Sequence, residues 1–407
     1  MIFFRKKEKK DLTLQHEKAL KERYKNSAIY PDFPSISFFY NYFYKKAFEN
    51  YILNVLRRYK SEFDKNLLIL ELGSHKSRNA DLLPEDLREK IIISDINLNI
   101  LRENTPSLYK IQLDFDFVPF KDRSIPFILG TNIFSHLLGL GNIEEIKRVL
   151  SKEGVAMFIE DLNLYMPALA LFFEKQGYKT YFLLDPYEGL KCFVIEKEQF
   201  EKLRKELKEK LKQIDLSAFK KEIEENFSEG TLDYFEGLIK EIKEKTYEND
   251  PFAFSLSLFA FTNQFKTEFL SKSPEEIQKL QILNQGFNNF LILLRNTLRT
   301  FSKFEIRNWD DVIDYIKEFL ENHGLSLEIE HISIESNLET LKKYQEELKK
   351  KISDEEMSFH HPYWGQLLEL KNLIIENMGL EIGYKGEQSL NEPNVVKYNM
   401  LIITIKK

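Results

Sequence analysis

Leu67-Leu68-Ile69-Leu70-Glu71-Leu72-Gly73-Ser74, followed after a polar turn and a helix-like segment by Ile91-Ile92-Ile93-Ser94-Asp95, decides the fold. Both apolar runs end in a carboxylate, and the first also ends in a glycine. Short continuous apolar runs bounded by turn signals suit strands buried on both faces of a parallel sheet. Ligands of such sheets bind beyond the carboxyl ends of the strands, where the strand order reverses. Glu71, Gly73 and Asp95 are therefore expected at the mouth of one crevice.

Working outward, the pattern continues as a βα alternation. Strands are predicted at 67–72, 91–95, 109–113, 126–131, 154–160, 178–184 and 190–196, with helices at 78–88, 96–103, 141–151 and 163–176. Alternation of this kind predicts an α/β fold with a doubly wound sheet and right-handed crossovers. The last two strands flank Asp185-Pro186-Tyr187-Glu188-Gly189, a turn-rich link, so a mostly parallel sheet is expected to close with an antiparallel strand.

Upstream, residues 5–28 are charged and helix-permissive, and two prolines at 31 and 34 mark an extended lead-in. The aromatic cluster Phe38-Phe39-Tyr40-Asn41-Tyr42-Phe43-Tyr44 then runs into a helix with Phe48, Ile52, Leu53 and Leu56 at helical spacing. Such a stripe reads as core, with a lid over the crevice as the alternative. Downstream, Leu203, Leu207, Leu211 and Ile214 repeat among alternating Lys and Glu, the pattern of a long amphipathic helix rather than a nucleic-acid patch. An apolar, Phe-rich segment follows from Phe252, then helices at 274–300 and 309–323, a half-buried strand over 325–334, helices at 337–351 and 365–378, and strands at 379–385 and 395–406. Sequence leaves open whether the final strands pair with one another or extend the first sheet. The expected organisation is an N-terminal helix and aromatic segment (1–46), a doubly wound domain (47–197) and a mainly helical α+β C-terminal domain (198–407).

Composition bounds the function. With 43% hydrophobic and 30% charged residues over 407 positions, the chain can bury a large core. A net charge of -6 gives no global attraction to nucleic acid, so a nucleic-acid partner is not expected. The single cysteine, Cys192, excludes an intrachain disulfide and a thiolate metal cluster, and no metal site is expected. The short N-terminal apolar run is not a signal peptide, and no run approaches the roughly 18 apolar residues of a membrane span. A cytoplasmic location without membrane contact is the expectation, and the oligomeric state is unreadable.

The ordered motifs of 67–196 resemble a class I S-adenosylmethionine-dependent methyltransferase of Rossmann-like fold. The resemblance covers about a third of the chain. The family's first motif, an acidic residue and alternating glycines after the first strand, reads here Glu71-Leu72-Gly73-Ser74-His75-Lys76-Ser77, with only the first glycine present. Asp95, followed by Ile96, stands where the family's acidic residue binds the ribose hydroxyls. Leu113-Asp114-Phe115-Asp116 resembles the adenine-binding segment, which implies Asp114 at the adenine edge and Phe115 against the ring. Ile128-Leu129-Gly130-Thr131-Asn132 leaves the fourth strand toward the transferred methyl, and residues 143–154 resemble the helix and turn before the fifth strand. The resemblance implies S-adenosylmethionine as cofactor, Glu71, Gly73, Ser74, Asp95, Ile96, Asp114, Phe115 and Thr131 as its binding residues, and in-line methyl transfer to a small molecule or a protein side chain. A nicotinamide dinucleotide would want Gly-x-Gly-x-x-Gly, which Gly73 does not begin.

Two further readings stand beside this one. The sparse glycine motif is compatible with a catalytically inactive interaction module on the same fold. The cluster Ser358-Phe359-His360-His361-Pro362-Tyr363-Trp364-Gly365 reads first as a helix start with inward-packed rings; the alternative makes His360, His361, Tyr363 and Trp364, with Asn132, a substrate-binding site. No catalytic residue is identified.

Overall fold

The structure, a computed structural model, describes residues 38–63, 67–74, 78–96, 98–103, 109–162, 166–185, 189–211, 216–337, 339–340, 343 and 395–407. Among these the strands are, in chain order, β1 (Ile69–Leu72), β2 (Ile91–Asp95), β3 (Tyr109–Gln112), β4 (Ile125–Thr131), β5 (Leu150–Asp161), β6 (Lys179–Asp185), β7 (Gly189–Ile195), β8 (Ser302–Ile306), β9 (Ser326–Asn337) and β10 (Val395–Lys406). The chain forms two compact units, one within Met1–Leu137, Gly141–Leu162 and Lys317–Lys407, the other Leu138–Leu140 with Asn163–Ile316.

The first unit holds a seven-stranded sheet in the order β3-β2-β1-β4-β5-β10-β9. The pairs among β1 to β5 are parallel, and β10 runs antiparallel to both β5 and β9. This is a doubly wound, Rossmann-like α/β sheet, as the sequence pattern implies. Strand order turns around between β1 and β4, so the crevice lies at their carboxyl ends. Burial follows position in the sheet. All of β1 is buried, and so is β4 as far as Gly130, because these central strands are covered on both faces. At the edges the pattern loosens: β9 alternates and Tyr109 on β3 is exposed. One face packs on the helix Phe38–Ala47, the π-helical turn Phe48–Ile52 and the helix Leu53–Phe63, whose Phe43, Phe48, Ile52 and Leu56 join Ile69, Ile91, Phe127 and Met157 in one core. Of the aromatic stripe, Phe43, Tyr44 and Phe48 are therefore core.

The expected closing hairpin is corrected. The strands predicted at 178–184 and 190–196 are β6 and β7, and they form a separate sheet in the order β6-β7-β8 within the second unit. The strand predicted at 395–406 closes the main sheet instead: β10 pairs with β5 from Met400↔Asp161 to Lys406↔Val155, and with β9 along its other edge. Coverage suits β10 to this place, although hydropathy alone does not choose it over the hairpin, whose Cys192-Phe193-Val194-Ile195 is buried as continuously. A strand between two neighbours and two faces must be apolar almost throughout, and Met400-Leu401-Ile402-Ile403 is buried without a break. The expected boundary at 197 falls inside the second unit.

In the second unit the amphipathic reading holds for Leu203, Leu207 and Leu211, and Ile214 lies outside the described residues. Phe200, Leu203, Leu207 and Leu211 on the helix Lys197–Leu211 are buried, together with Tyr181, Leu183, Phe193 and Ile195 of the hairpin. The helix Pro251–Leu270 adds Phe254, Leu258, Phe261 and Phe265 at three- and four-residue spacing to the same core. Its Ser255 hydroxyl accepts a hydrogen bond from the Phe182 N–H of β6 at 2.8 Å. Cys192 on β7 is buried, and burial pushes its thiol well above the usual range.

Candidate functional site

The carboxyl ends of β1, β2 and β4 and the turn after β3 form a hydrogen-bonded rim. The Ser94 hydroxyl of β2 donates to the Glu71 carbonyl at 2.6 Å, and the Ser74 N–H donates to the Ser94 carbonyl at 2.7 Å. The Leu113 N–H donates to the Asp95 carbonyl at 3.0 Å, and Gln112 Nε2 donates to the Ile96 carbonyl at 2.7 Å. Across the switch point, Asn79 Nδ2 donates both to Glu71 Oε1 and to Thr131 Oγ1, each at 2.9 Å. Glu71 and Thr131 are thereby held by one amide from the helix Arg78–Leu82.

Glu71 is 1% exposed, and burial pushes its carboxyl up to about 8. The Asn79 hydrogen bond opposes this, while the charges of Asp81 and Asp95 add to it. Its Oε2 and the Ser74 hydroxyl are buried with no hydrogen-bond partner among the described residues. Buried polar atoms in native proteins are nearly always bonded, so two such atoms at the end of one strand mark where an incoming polar group would be received.

Gly73 sits beside them at φ +58°, a left-handed conformation that favours glycine. A Cβ there would come within 2.7 Å of Ile133 Cδ1. A side chain there would have to displace the end of Ile133, and the left-handed backbone is the stronger reason for glycine.

Asp95 ends β2, paired in register with Gln112, and Ile96 follows it; both are half-buried. Asp114 is buried after β3, and its Oδ1 accepts from the Asp116 N–H at 3.0 Å, which tightens the turn. The Phe115 carbonyl accepts from the Asn142 N–H at 3.3 Å. Thr131 ends β4, and Asn132 follows it at φ +51°. The predicted residues therefore occupy successive strand ends along one edge of the sheet. His360, His361, Tyr363 and Trp364 lie outside the described residues. Among the described residues no group of three or more His, Cys, Asp or Glu side chains could hold a metal ion, and no helix is long and apolar enough to cross a membrane.

Sequence reasoning missed Asn79, Glu160 and Asp161. Glu160 is buried, and burial pushes it up to about 8. Its Oε1 accepts from the Ile133 and Phe134 N–H groups at 2.7 and 2.6 Å, which caps the helix Phe134–Leu140. The cue was present: Val155 to Ile159 is another apolar run ending in carboxylates, the same signature that singled out Glu71 and Asp95. Asn79 carries no such cue.

No protein-family model matches the sequence, and no curated protein matches it. Among solved structures, the chain is similar to a SAM-dependent methyltransferase from Aquifex aeolicus, at 13% identity and a TM-score of 0.24 over 37% of this chain and 93% of that one. The YcgJ protein from Bacillus subtilis is similar at 9% identity and a TM-score of 0.30 over 84% and 92%. Geranyl diphosphate methyltransferase in complex with SAM is similar at 8% identity and a TM-score of 0.21 over 23% and 42%. These likenesses are distant, and it is the strand order that assigns the fold.

Proposed function

We propose that the protein is an S-adenosylmethionine-dependent methyltransferase. The reading is carried by one observation: Glu71 Oε2 and Ser74 Oγ are buried and unpartnered among the described residues, beside Gly73, at the switch point of a doubly wound sheet. Such a pair fits the ammonium and carboxylate of a methionine moiety. Asp95 offers two acceptor oxygens suited to a ribose diol. Asp114 and Phe115 would meet the adenine, and Thr131, held by Asn79, would line the methyl side. When bound, the sulfonium supplies a methyl group already activated by positive charge. The chain's own residues then need chiefly to orient the acceptor and exclude water, and orientation alone can supply about 7–11 kcal/mol of barrier lowering. This is why no sharp catalytic triad or metal set is needed. The acceptor is a small molecule or a protein side chain, consistent with the net charge of -6.

Titration calorimetry with S-adenosylhomocysteine tests the reading. Micromolar or tighter binding is expected, weakened about tenfold or more by Asp95→Ala. Absence of binding would remove the proposal.

A second reading, a non-catalytic interaction module, is favoured by the left-handed backbone at Gly73, which calls for a glycine without any cofactor. The same calorimetry separates the two.

A further inference from the structure

Asn79 reaches from the helix Arg78–Leu82 to the ends of two neighbouring strands. β1 and β4 lie side by side, with Leu72 opposite Gly130; Glu71 belongs to the first strand and Thr131 ends the second. An amide nitrogen carries two hydrogens and accepts nothing. Here one hydrogen goes to Glu71 Oε1 and the other to Thr131 Oγ1, each at 2.9 Å, so the group is spent. Neither bond reaches a backbone group. A side chain that only pins the fold commonly satisfies backbone, as Glu160 does with the Ile133 and Phe134 N–H groups. Asn79 fixes two side chains instead, both at the switch point.

The two bonds have directional consequences. Among the described residues Asn79 is the one hydrogen-bond partner of the Glu71 carboxyl, so it decides which oxygen is committed: Oε1 is taken and the buried Oε2 is left. Thr131 Oγ1 accepts from Asn79, so the single proton of that hydroxyl points away from the amide. Glu71 and Asn79 are both buried, and a hydrogen bond shielded from water is stronger and costlier to break than an exposed one. The bond also acts on charge. It favours the ionised Glu71 carboxylate, against burial and against the charges of Asp81 and Asp95.

We propose that Asn79 is a positioning residue for ligand binding: it fixes Glu71 so that Oε2 is left for the ligand, and Thr131 so that its hydroxyl proton is left for a ligand acceptor. It acts through the two side chains it holds. That the ligand is S-adenosylmethionine rests on the methyltransferase reading; the control of Glu71 by Asn79 does not.

Two readouts on the full-length protein test this. The first needs no ligand: the Glu71 carboxyl is titrated by infrared difference spectroscopy, its band assigned with Glu71→Gln. Asn79→Leu, close in shape and without a donor, should move the Glu71 titration to higher pH than in the wild type. The second is calorimetry with S-adenosylhomocysteine. Asn79→Leu should weaken binding about tenfold in the wild type but only about threefold in a Thr131→Val background, where one of its two partners is already gone. Asn79→Ala, which cannot clash, decides both readouts if Asn79→Leu does not fold. An unmoved Glu71 titration would overturn the proposal. So would an unchanged affinity, or an equal loss in both backgrounds, which is the mark of a merely structural residue; either result leaves the cofactor reading standing. A wild type that does not bind S-adenosylhomocysteine, with the Glu71 titration still moved by Asn79→Leu, would strike the cofactor reading and leave the control of Glu71 in place.

Discussion

Glu71 and Glu160 make a natural comparison. Each is the last residue but one of a strand of the same sheet, each is almost fully buried, and burial pushes each carboxyl up to about 8. They differ in what they hold. Glu160 receives two backbone N–H groups and caps the turn into the helix Phe134–Leu140. Glu71 receives one side-chain amide and keeps a buried oxygen without a partner among the described residues. The same residue type, equally buried, is thus committed to the backbone at β5 and left available at β1. A buried carboxyl satisfied by backbone holds the chain in place; one with an orphan oxygen at a crevice mouth is suited to a ligand.

The largest effect expected from this comparison is in pH. Both carboxyls have folded values near 8, above the ordinary 4.5. Between those limits the folded protein keeps protons that the unfolded chain has released, so stability falls as pH rises from 4.5 to 8 and levels off above 8. The two groups together should cost on the order of several kcal/mol across that window. Denaturant midpoints at pH 5, 7 and 9 check this; a midpoint that rises from pH 5 to 9 would contradict it.

Next in size is Glu160→Ala, which leaves two N–H groups without their acceptor at about 1–3 kcal/mol each. Urea unfolding should show a clear loss of stability. Glu71→Gln should be close to neutral in the same experiment, because it keeps an acceptor for Asn79. Equal losses in the two variants would erase the distinction drawn here.

Gly73→Ala should cost about 1–2 kcal/mol for the left-handed backbone, plus a clash with Ile133. Ile133→Ala in the same protein should relieve the clash and leave the backbone penalty. A double-mutant cycle measures the coupling, and strict additivity would show that Ile133 does not press on that position.

The smallest effect sharpens the comparison most. At pH 6.5 Glu71 carries its proton, so wild type and Glu71→Gln should bind S-adenosylhomocysteine alike. Above pH 8 the ionised carboxylate should favour the ligand's ammonium group, and the two should separate about tenfold. Calorimetry at pH 6.5 and 8.5 gives both numbers. Identical affinities at both values would mean that Glu71 does not face the ligand.

The sequence by itself determined the strands of the doubly wound half and the residues at their ends. A strand buried on both faces must be apolar along its length, and its end must turn polar where the crevice opens, so Glu71, Asp95, Thr131 and the run at Val155 are legible in one dimension. It also determined the amphipathic helix at Leu203, Leu207 and Leu211, because the 3.6-residue period is local. Only the tertiary structure decided which strand closes the sheet, since the hairpin 179–195 and the strand Val395–Lys406 are both apolar and hydropathy does not name a strand's neighbours. It alone joined Asn79 to Glu71, capped a helix with Glu160, and placed Tyr44, Asn132, Asp161 and Tyr398 together. Those are pairings at separations from 8 to 237 residues, set by neither the helical nor the strand period, so they leave no periodic trace along the chain.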